Sequence, residues 1–346
     1  MARIRRGRSG PARPMTARRR PPLSRSPAVR FPSCKSDRKL SRVAARVLAG
    51  LALAVSVASG ATPSAASACR DPAPGVASLD QAAAPRVLAL QGSVPFVTMA
   101  PFADFLEAMG YPAERLRHPP DGTRTLASFV DARRFAGEIA WHYERDGVMP
   151  VLVGHSQGGM VVIKALHELA GRNGPIPVWN PMLGAAEQRT WIIDPRSGAR
   201  REVTTLRVNF AAALVTGSLP RVLLAQWDVL PLLRDVPDSA VAFTGFAIPW
   251  DAIAGTGAHP APFRATGSAL VRNVVLPAAY SHIALPAVDH LARQSATRAW
   301  IEAWRPDVVA TPLPQGADVG NLLHAADLWY SLRRAWCESA QARAAS

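Results

Sequence analysis

The sequence predicts an α/β protein with a mostly parallel central sheet flanked by helices. From Pro85 onward, short apolar runs alternate with amphipathic stretches, as in repeated βαβ units. Hydrophobic residues make up 49% and charged residues 19% of the 346 residues, a balance typical of globular proteins. A glycine-rich turn at 154–159 lies between an apolar run and an amphipathic run, where a buried strand would turn into a helix.

The strands are predicted from short apolar runs and the helices from apolar residues at helical spacing. For example, Phe102, Phe105 and Leu106 share one face of a helix that Gly110 is suited to end. In chain order, the first predicted elements are a strand at 87–90, a helix at 99–109, a short strand at 114–117, a helix at 130–145, a strand at 149–153, a helix at 156–170 and a fourth strand at 177–179.

The alternation breaks after residue 180. Two runs, 190–193 and 203–208, flank the turn residues 194–198 and predict a β-hairpin. Residues 210–233 are unusually apolar for a connection, so an insertion of about sixty residues is predicted at about 182–240. The alternation then resumes with strands at 241–248 and 273–276 and helices at 288–304 and 321–337.

The positive charge is concentrated near the N-terminus. The formal net charge is +15, but of the 40 basic and 25 acidic residues, fifteen basic and one acidic precede position 47. The 25 basic and 24 acidic residues that remain all lie from Cys69 onward, so that part is nearly neutral. It lacks the basic surface that phosphate backbones require, which argues against nucleic acid as a partner.

Residues 1–68 are predicted to be a basic N-terminal extension and signal peptide, followed by one domain at 69–346. The basic block precedes an apolar run at 47–57 and small residues that end in Ala66-Ser67-Ala68, the parts of a secretory signal. The apolar run is about half of the ~20 residues that a spanning helix needs, so no stable membrane span is predicted. We expect export to the periplasm or the medium.

Cleavage after Ala68 would leave two of the three cysteines, Cys69 and Cys337. Two cysteines in an exported protein favour a disulfide that joins the two ends of the domain. The alternative is a lipid anchor on Cys69, because a run of small residues ending in Cys resembles a lipoprotein signal. In that signal the position of Ala66 favours Leu, so the disulfide is preferred.

The central motif is Gly154-His155-Ser156-Gln157-Gly158. A tight strand-to-helix turn would lift the Ser156 side chain clear of the sheet, and glycines leave room for it because a Cβ would collide with neighbouring backbone. The N-terminus of the helix that follows would aim free N–H groups at the reacting centre. In this context the motif resembles the nucleophile elbow of the α/β-hydrolase superfamily, in its lipase and esterase branch. The resemblance covers most of residues 85–340.

The resemblance implies a catalytic acid and then a histidine, each after a later strand. His282 is predicted to be the base, because it lies on a loop between a strand and the final helices. Asp251 follows the strand at 241–248 and is predicted to orient His282. Asp228 and Asp238 are the rival acids, and both are less well placed relative to that strand.

The resemblance also implies an oxyanion hole and a lid. The hole would use the N–H groups of Gln157 and Ser93, and Gly154, Gly158 and Gly92 would support the elbow. The insertion at about 182–240 occupies the place of the family's lid or cap, where it would exclude water and contact an acyl chain. The alternative is that its helices simply complete the core.

The predicted function is an exported serine hydrolase that cleaves carboxylic esters through an acyl-enzyme. Two alternatives stay open: an amidase, thioesterase or acyltransferase with the same triad, and a catalytically silent binding protein of this fold. The expected partner is a small-molecule ester or lipid-like substrate. Neither a metal nor an organic cofactor is implied, and the sequence makes no prediction of the oligomeric state.

Overall fold

The computed structural model describes Cys69 and residues 75–217, 227–306, 308 and 312–345. All of these residues belong to the unit Gly60–Ser346. The predicted N-terminal extension and signal peptide at 1–68 lies outside the described residues.

Among the described residues, five parallel strands form the central sheet. The strands at 87–90, 151–155, 208–214 and 240–247 are largely buried apolar runs, as is typical of a parallel sheet, whereas the edge strand at 270–275 includes Arg272 and Asn273 and is partly exposed. Their order across the sheet is β1 (Val87–Leu90), β2 (Val151–His155), β7 (Val208–Leu214), β9 (Ala240–Ala247) and β11 (Leu270–Val275). Leu90 pairs with Gly154, His155 with Leu214, and Leu214 with Phe246. The carboxyl ends of these strands therefore meet along one edge of the sheet, which we call the carboxyl edge.

Helices cover both faces of the sheet. The helices are α1 (Ala100–Ala108), α2 (Ala132–Asp146), α3 (Gln157–Leu169), α4 (Asp289–Arg293), α5 (Ser295–Ala303) and α6 (Leu322–Ala344). One apolar core packs α1, α4, α5 and α6 against alternate residues of the strands, such as Val151 and Val153. A second core packs α2 and α3 against residues of the other face, such as Leu152 and Ala211. The predicted fold class, a mostly parallel sheet flanked by helices, is confirmed.

The ends of α2 illustrate how the sequence fixes a helix. The Asp131 side chain accepts a hydrogen bond from the Arg134 N–H at 2.9 Å and caps the N-terminus. Gly147 ends the helix in the left-handed conformation, with φ of 70°.

In the part of the chain that the structure describes, short strands outside the central sheet form three two-stranded ribbons. They are β3 (Trp179–Asn180) with β4 (Ala185–Ala186), β5 (Trp191–Ile193) with β6 (Arg200–Glu202), and β8 (Asp235–Val236) with β10 (Arg264–Ala265). The second strand of the predicted hairpin, at 203–208, is wrong: Val203–Thr205 is a 3-10 helix and Val208 begins β7. The β5–β6 pair is antiparallel and forms a hairpin around the predicted turn at 194–198, with Arg200–Glu202 as its second strand. It lies against the C-terminal end of α2, because the Ile193 N–H donates to the Glu144 carboxylate at 2.6 Å.

The predicted insertion at about 182–240 requires correction. Within it, Val208–Leu214 forms β7, the middle strand of the central sheet. Because this strand is buried on both faces of the sheet, its sequence is almost continuously apolar. A lid that contacts an acyl chain would have a similar composition, so the two could not be distinguished from the sequence. The β5–β6 hairpin lies at the edge opposite the carboxyl edge, so it cannot cover a site there. Residues 218–226 of the predicted insertion lie outside the described residues.

Two predicted strands do not join the sheet. Ala113–Leu116 is a 3-10 helix, and the Arg86 guanidinium accounts for this by donating to the carbonyls of Glu114 and Arg117, which a strand would need for its own pairing. Residues 177–180 pack instead against α2, where an added Cβ on Gly137 would collide with the Pro177 carbonyl.

The predicted helix at 288–304 is divided. Gln294 takes an extended conformation, with φ of −98° and ψ of 122°, and separates α4 from α5. The Thr297 hydroxyl donates to the carbonyls of Leu291 and Gln294, which stabilises the break.

The two ends of the described chain are joined covalently. Cys69 and Cys337 form a disulfide, with their Cα atoms 5.7 Å apart across a sequence separation of 268 residues. Both cysteines are buried, and Cys337 lies in α6. Within the described part of the chain, no helix is both long enough and apolar enough to cross a bilayer.

Candidate active site

Ser156 occupies the sharp turn between β2 and α3 at the carboxyl edge. Its φ of 52° and ψ of −116° lie outside the regions that L-residues ordinarily adopt. The turn is held on both sides: the Ser156 N–H donates to the Leu214 carbonyl at 2.8 Å, and the Ser156 carbonyl accepts from the Gly159 N–H at 3.1 Å. Such a conformation persists only when its surroundings fix it.

Glycines make this turn sterically feasible. An added Cβ on Gly154 would collide with the backbone of Gly158, and one on Gly158 would lie 2.6 Å from the Gln91 carbonyl oxygen. Gly159, which the sequence analysis did not single out, is equally constrained, because its Cβ would collide with the Thr216 hydroxyl. The two consecutive glycines at 158–159 were the sequence feature from which this constraint on Gly159 could have been predicted.

The structure brings the three predicted catalytic residues into one hydrogen-bonded line. His282 Nε2 lies 2.9 Å from Ser156 Oγ, and His282 Nδ1 lies 2.7 Å from Asp251 Oδ2. Each of the three is at most 8% exposed. With Nδ1 protonated and donating to Asp251, the Nε2 lone pair faces the serine hydroxyl, the arrangement that a general base requires.

Asp251 is held by its own loop. Its Oδ1 accepts from the N–H groups of Ile253 and Ala254, each at 3.0 Å, while its N–H donates to the Thr256 hydroxyl at 2.9 Å. Burial tends to raise the pKa of Asp251, but the hydrogen bond from His282 and the two backbone hydrogen bonds outweigh it and lower that pKa below its usual value. The carboxylate is therefore ionised at neutral pH.

The rival acids are placed differently. Asp238 lies before β9, at the opposite end of that strand from Asp251, and its carboxylate accepts from the Ser268 hydroxyl at 2.9 Å. The side chain of Asp228 lies outside the described residues.

His155, the residue before the nucleophile, holds the loop that carries His282. Its Nε2 donates to the His282 carbonyl at 2.8 Å. Burial, together with charge on the neighbouring His282, lowers the pKa of His155 to about 4, so this ring is neutral at pH 7. Thr216 holds the turn that carries the nucleophile, since its hydroxyl donates to the Ser156 carbonyl at 3.2 Å. Neither residue was assigned a role from the sequence.

The predicted oxyanion donors lie on two segments that are tied together. Gln157 is the first residue of α3, and its side-chain amide donates to the Ser128 carbonyl at 3.3 Å. The Ser128 hydroxyl in turn donates to the Gly92 carbonyl at 3.0 Å. An added Cβ on Gly92 would lie 3.2 Å from Ser156 Cβ, and Ser93 lines the same depression as Ser156. The assignment of the Gln157 and Ser93 N–H groups stays a prediction.

The depression above Ser156 has apolar walls. They are formed by Val94, Val97, Ile253 and Ile283. Large apolar side chains are also exposed on the loops that carry the site, including Phe96 at 82% and Trp250 at 71% exposure. This surface can contact an apolar group attached to a reacting carbonyl.

A second group of chemically reactive side chains lies elsewhere. His118, Glu138 and His142 each offer one ligand atom, and these atoms lie within 4.8 Å of one another. No metal was predicted from the sequence. Glu138 and His142 are four residues apart on α2, but the loop that brings His118 to them could not be anticipated.

Comparisons with known proteins give little guidance. No family model matches the chain, and no curated protein matches it. A solved structure described as "RedJ with PEG molecule bound in the active site" is similar over 65% of this chain and 89% of its own, at 16% sequence identity and a TM-score of 0.29.

Proposed function

We propose that the protein is an exported serine hydrolase that cleaves carboxylic esters through Ser156, His282 and Asp251. The observation that carries the proposal is the hydrogen-bonded line from Ser156 Oγ through His282 to Asp251, with spacings of 2.9 and 2.7 Å. The strained turn at Ser156 supports it, because such strain clusters at functional sites.

The geometry supports a two-step reaction. Ser156 Oγ attacks the ester carbonyl while His282 Nε2 takes the hydroxyl proton, and the N–H groups of Gln157 and Ser93 stabilise the oxyanion. His282 then gives the proton to the leaving alkoxide, and the acyl group remains on Ser156. Water repeats the sequence: His282 takes its proton, the hydroxide attacks the acyl carbonyl, and Ser156 recovers its proton as the acid leaves.

The apolar walls of the depression favour esters with an apolar acyl group. Val97, Ile253 and Ile283 offer no charged group to a substrate, and the exposed Phe96 and Trp250 extend the apolar surface. Export is proposed from the basic and apolar segments at 1–68, and a buried disulfide suits an oxidising compartment.

The decisive test is labelling by a fluorophosphonate, which reacts with an activated serine, followed by peptide mapping. We expect the label on Ser156 in the wild type and none on Ser156→Ala. The same variant should hydrolyse p-nitrophenyl esters about 10⁴-fold or more slowly while keeping its melting temperature. Unchanged ester hydrolysis by Ser156→Ala would refute the proposal. Matched esters, amides and thioesters would define the substrate class.

The acid is tested by a matched pair of variants. Asp251→Asn removes the charge that stabilises the His282 imidazolium, so kcat should fall by about 10⁴-fold. Asp238→Asn makes the same chemical change at the opposite end of β9 and should leave kcat near the wild-type value. Equal losses in the two variants would argue against Asp251 as the acid.

A further inference from the structure

We propose that His118, Glu138 and His142 form a zinc site. Glu138 and His142 project from the same face of α2, one turn apart, and His118 reaches them from the loop that follows the 3-10 helix Ala113–Leu116. Two imidazoles and one carboxylate are a ligand set that suits Zn²⁺, whereas Ca²⁺ and Mg²⁺ prefer oxygen ligands only.

The group is almost wholly buried. The side chains of His142 and Glu138 are 0% and 4% exposed, and that of His118 is 15% exposed. Within the described part of the chain, neither ring nitrogen of His142 has a hydrogen-bond partner. A buried imidazole with no partner at either nitrogen is costly, and coordination of a metal by Nε2 would remove part of that cost.

The distances suit a small cation. His118 Nε2 and His142 Nε2 lie 2.7 Å and 3.7 Å from the same oxygen, Glu138 Oε1. Around Zn²⁺ with bonds of about 2.0–2.1 Å, the ligand atoms of a tetrahedron lie about 3.3 Å apart. On binding the ion, the distance from His118 Nε2 to Glu138 Oε1 would increase and that from His142 Nε2 to Glu138 Oε1 would decrease, each by about half an ångström. The partly exposed edge of His118 leaves a route for the ion and a place for a water ligand.

The surroundings of His118 favour a structural role. Its Nδ1, the nitrogen that would face away from the ion, has no hydrogen-bond partner among the described residues and lies 3.6 Å from Asp121 Oδ1. A small movement of the exposed Asp121 side chain would let its carboxylate accept from Nδ1 and orient the ring. The backbone of its loop is closed by the His118 N–H, which donates to the Thr123 carbonyl at 2.7 Å. The ion would therefore fasten loop 118–123 to α2.

The test uses untagged, chelator-treated protein and ZnSO₄ alone. We expect about one Zn²⁺ bound per chain by calorimetry and elemental analysis, and a higher melting temperature with zinc than without. Co²⁺ in place of Zn²⁺ should give the visible absorption bands of a tetrahedral site. None of these readouts depends on hydrolase activity.

Variants locate the ion. His118→Ala, at a partly exposed ring, and Glu138→Gln, which preserves the shape of the side chain, should each abolish binding and the thermal shift. His290→Ala removes a histidine from α4 and should bind zinc like the wild type. The absence of zinc binding by the wild type, or undiminished binding by His118→Ala, would overturn the proposal.

Discussion

Two buried histidines make the stability of the fold depend on pH. His324 is fully buried in α6, and its Nε2 donates to the Leu285 carbonyl at 2.8 Å. Burial lowers the pKa of His324 to about 3 and that of His155 to about 4. In the unfolded chain both would titrate near the ordinary value of about 6.5. Between these pKa values, both histidines are therefore neutral in the folded state and protonated in the unfolded state.

The sign of the effect follows from proton linkage. Between about pH 6.5 and pH 4 the unfolded state binds more protons, so the free energy of unfolding falls as the pH is lowered. We expect the melting temperature to fall over this range, and to fall less steeply in His324→Gln. Thermal unfolding at a series of pH values measures both slopes. His259→Gln, a change at an exposed histidine, is the control and should leave the dependence of melting temperature on pH as in the wild type. If His324→Gln also showed the wild-type dependence, His324 would not be one of the groups responsible.

At the scale of the residue, the sequence predicted the positions that follow strands and missed those that support them. Ser156, Asp251 and His282 could be named because each lies in or just after a turn next to a predicted strand. Thr216 could not, because it follows β7, which the sequence analysis placed in an insertion. His155 could not either, since its bond to the His282 carbonyl joins residues 127 positions apart.

At the scale of the element, the β2–α3 turn depends on close backbone contacts. Gly158→Ala would place a Cβ against the carbonyl oxygens of Leu90 and Gln91, neither of which can move without disturbing β1. We expect a loss of about 3 kcal/mol in the free energy of unfolding, measured by denaturant titration, together with loss of ester hydrolysis. Gly75→Ala is the control, since a Cβ there has no atom within 4 Å. Equal stability of the two variants would contradict this account of the turn.

Strands with clear boundaries were easier to predict than strands inside long apolar runs. The strand at 87–90 was predicted with its observed bounds, and β2 and β9 within two residues. β7 was missed because the middle strand of a parallel sheet is apolar on both faces and so resembles any other buried segment. The strand predicted at 114–117 is wrong for another reason, since the Arg86 side chain donates hydrogen bonds to the backbone carbonyls of Glu114 and Arg117.

At the scale of the whole molecule, the disulfide constrains the unfolded chain more than the folded one. It closes a loop of 268 residues, so removing it should cost about 2–5 kcal/mol of stability. We expect the double variant Cys69→Ser/Cys337→Ser to melt at a lower temperature than the oxidised wild type and to be insensitive to reductant. Wild-type protein treated with dithiothreitol should approach the same melting temperature. No change on reduction would mean that the bond does not form.

The left-handed φ of Ser156 has a consequence for heat resistance. A non-glycine residue in such a conformation costs about 1–3 kcal/mol, and glycine would relieve it. Ser156→Gly and Ser156→Ala both lack the hydroxyl, so their difference in melting temperature isolates the backbone contribution, and we expect the glycine variant to be the more durable. A screen for thermostability alone would then enrich inactive Ser156→Gly variants, because at this position the nucleophile and the most stable backbone require different residues.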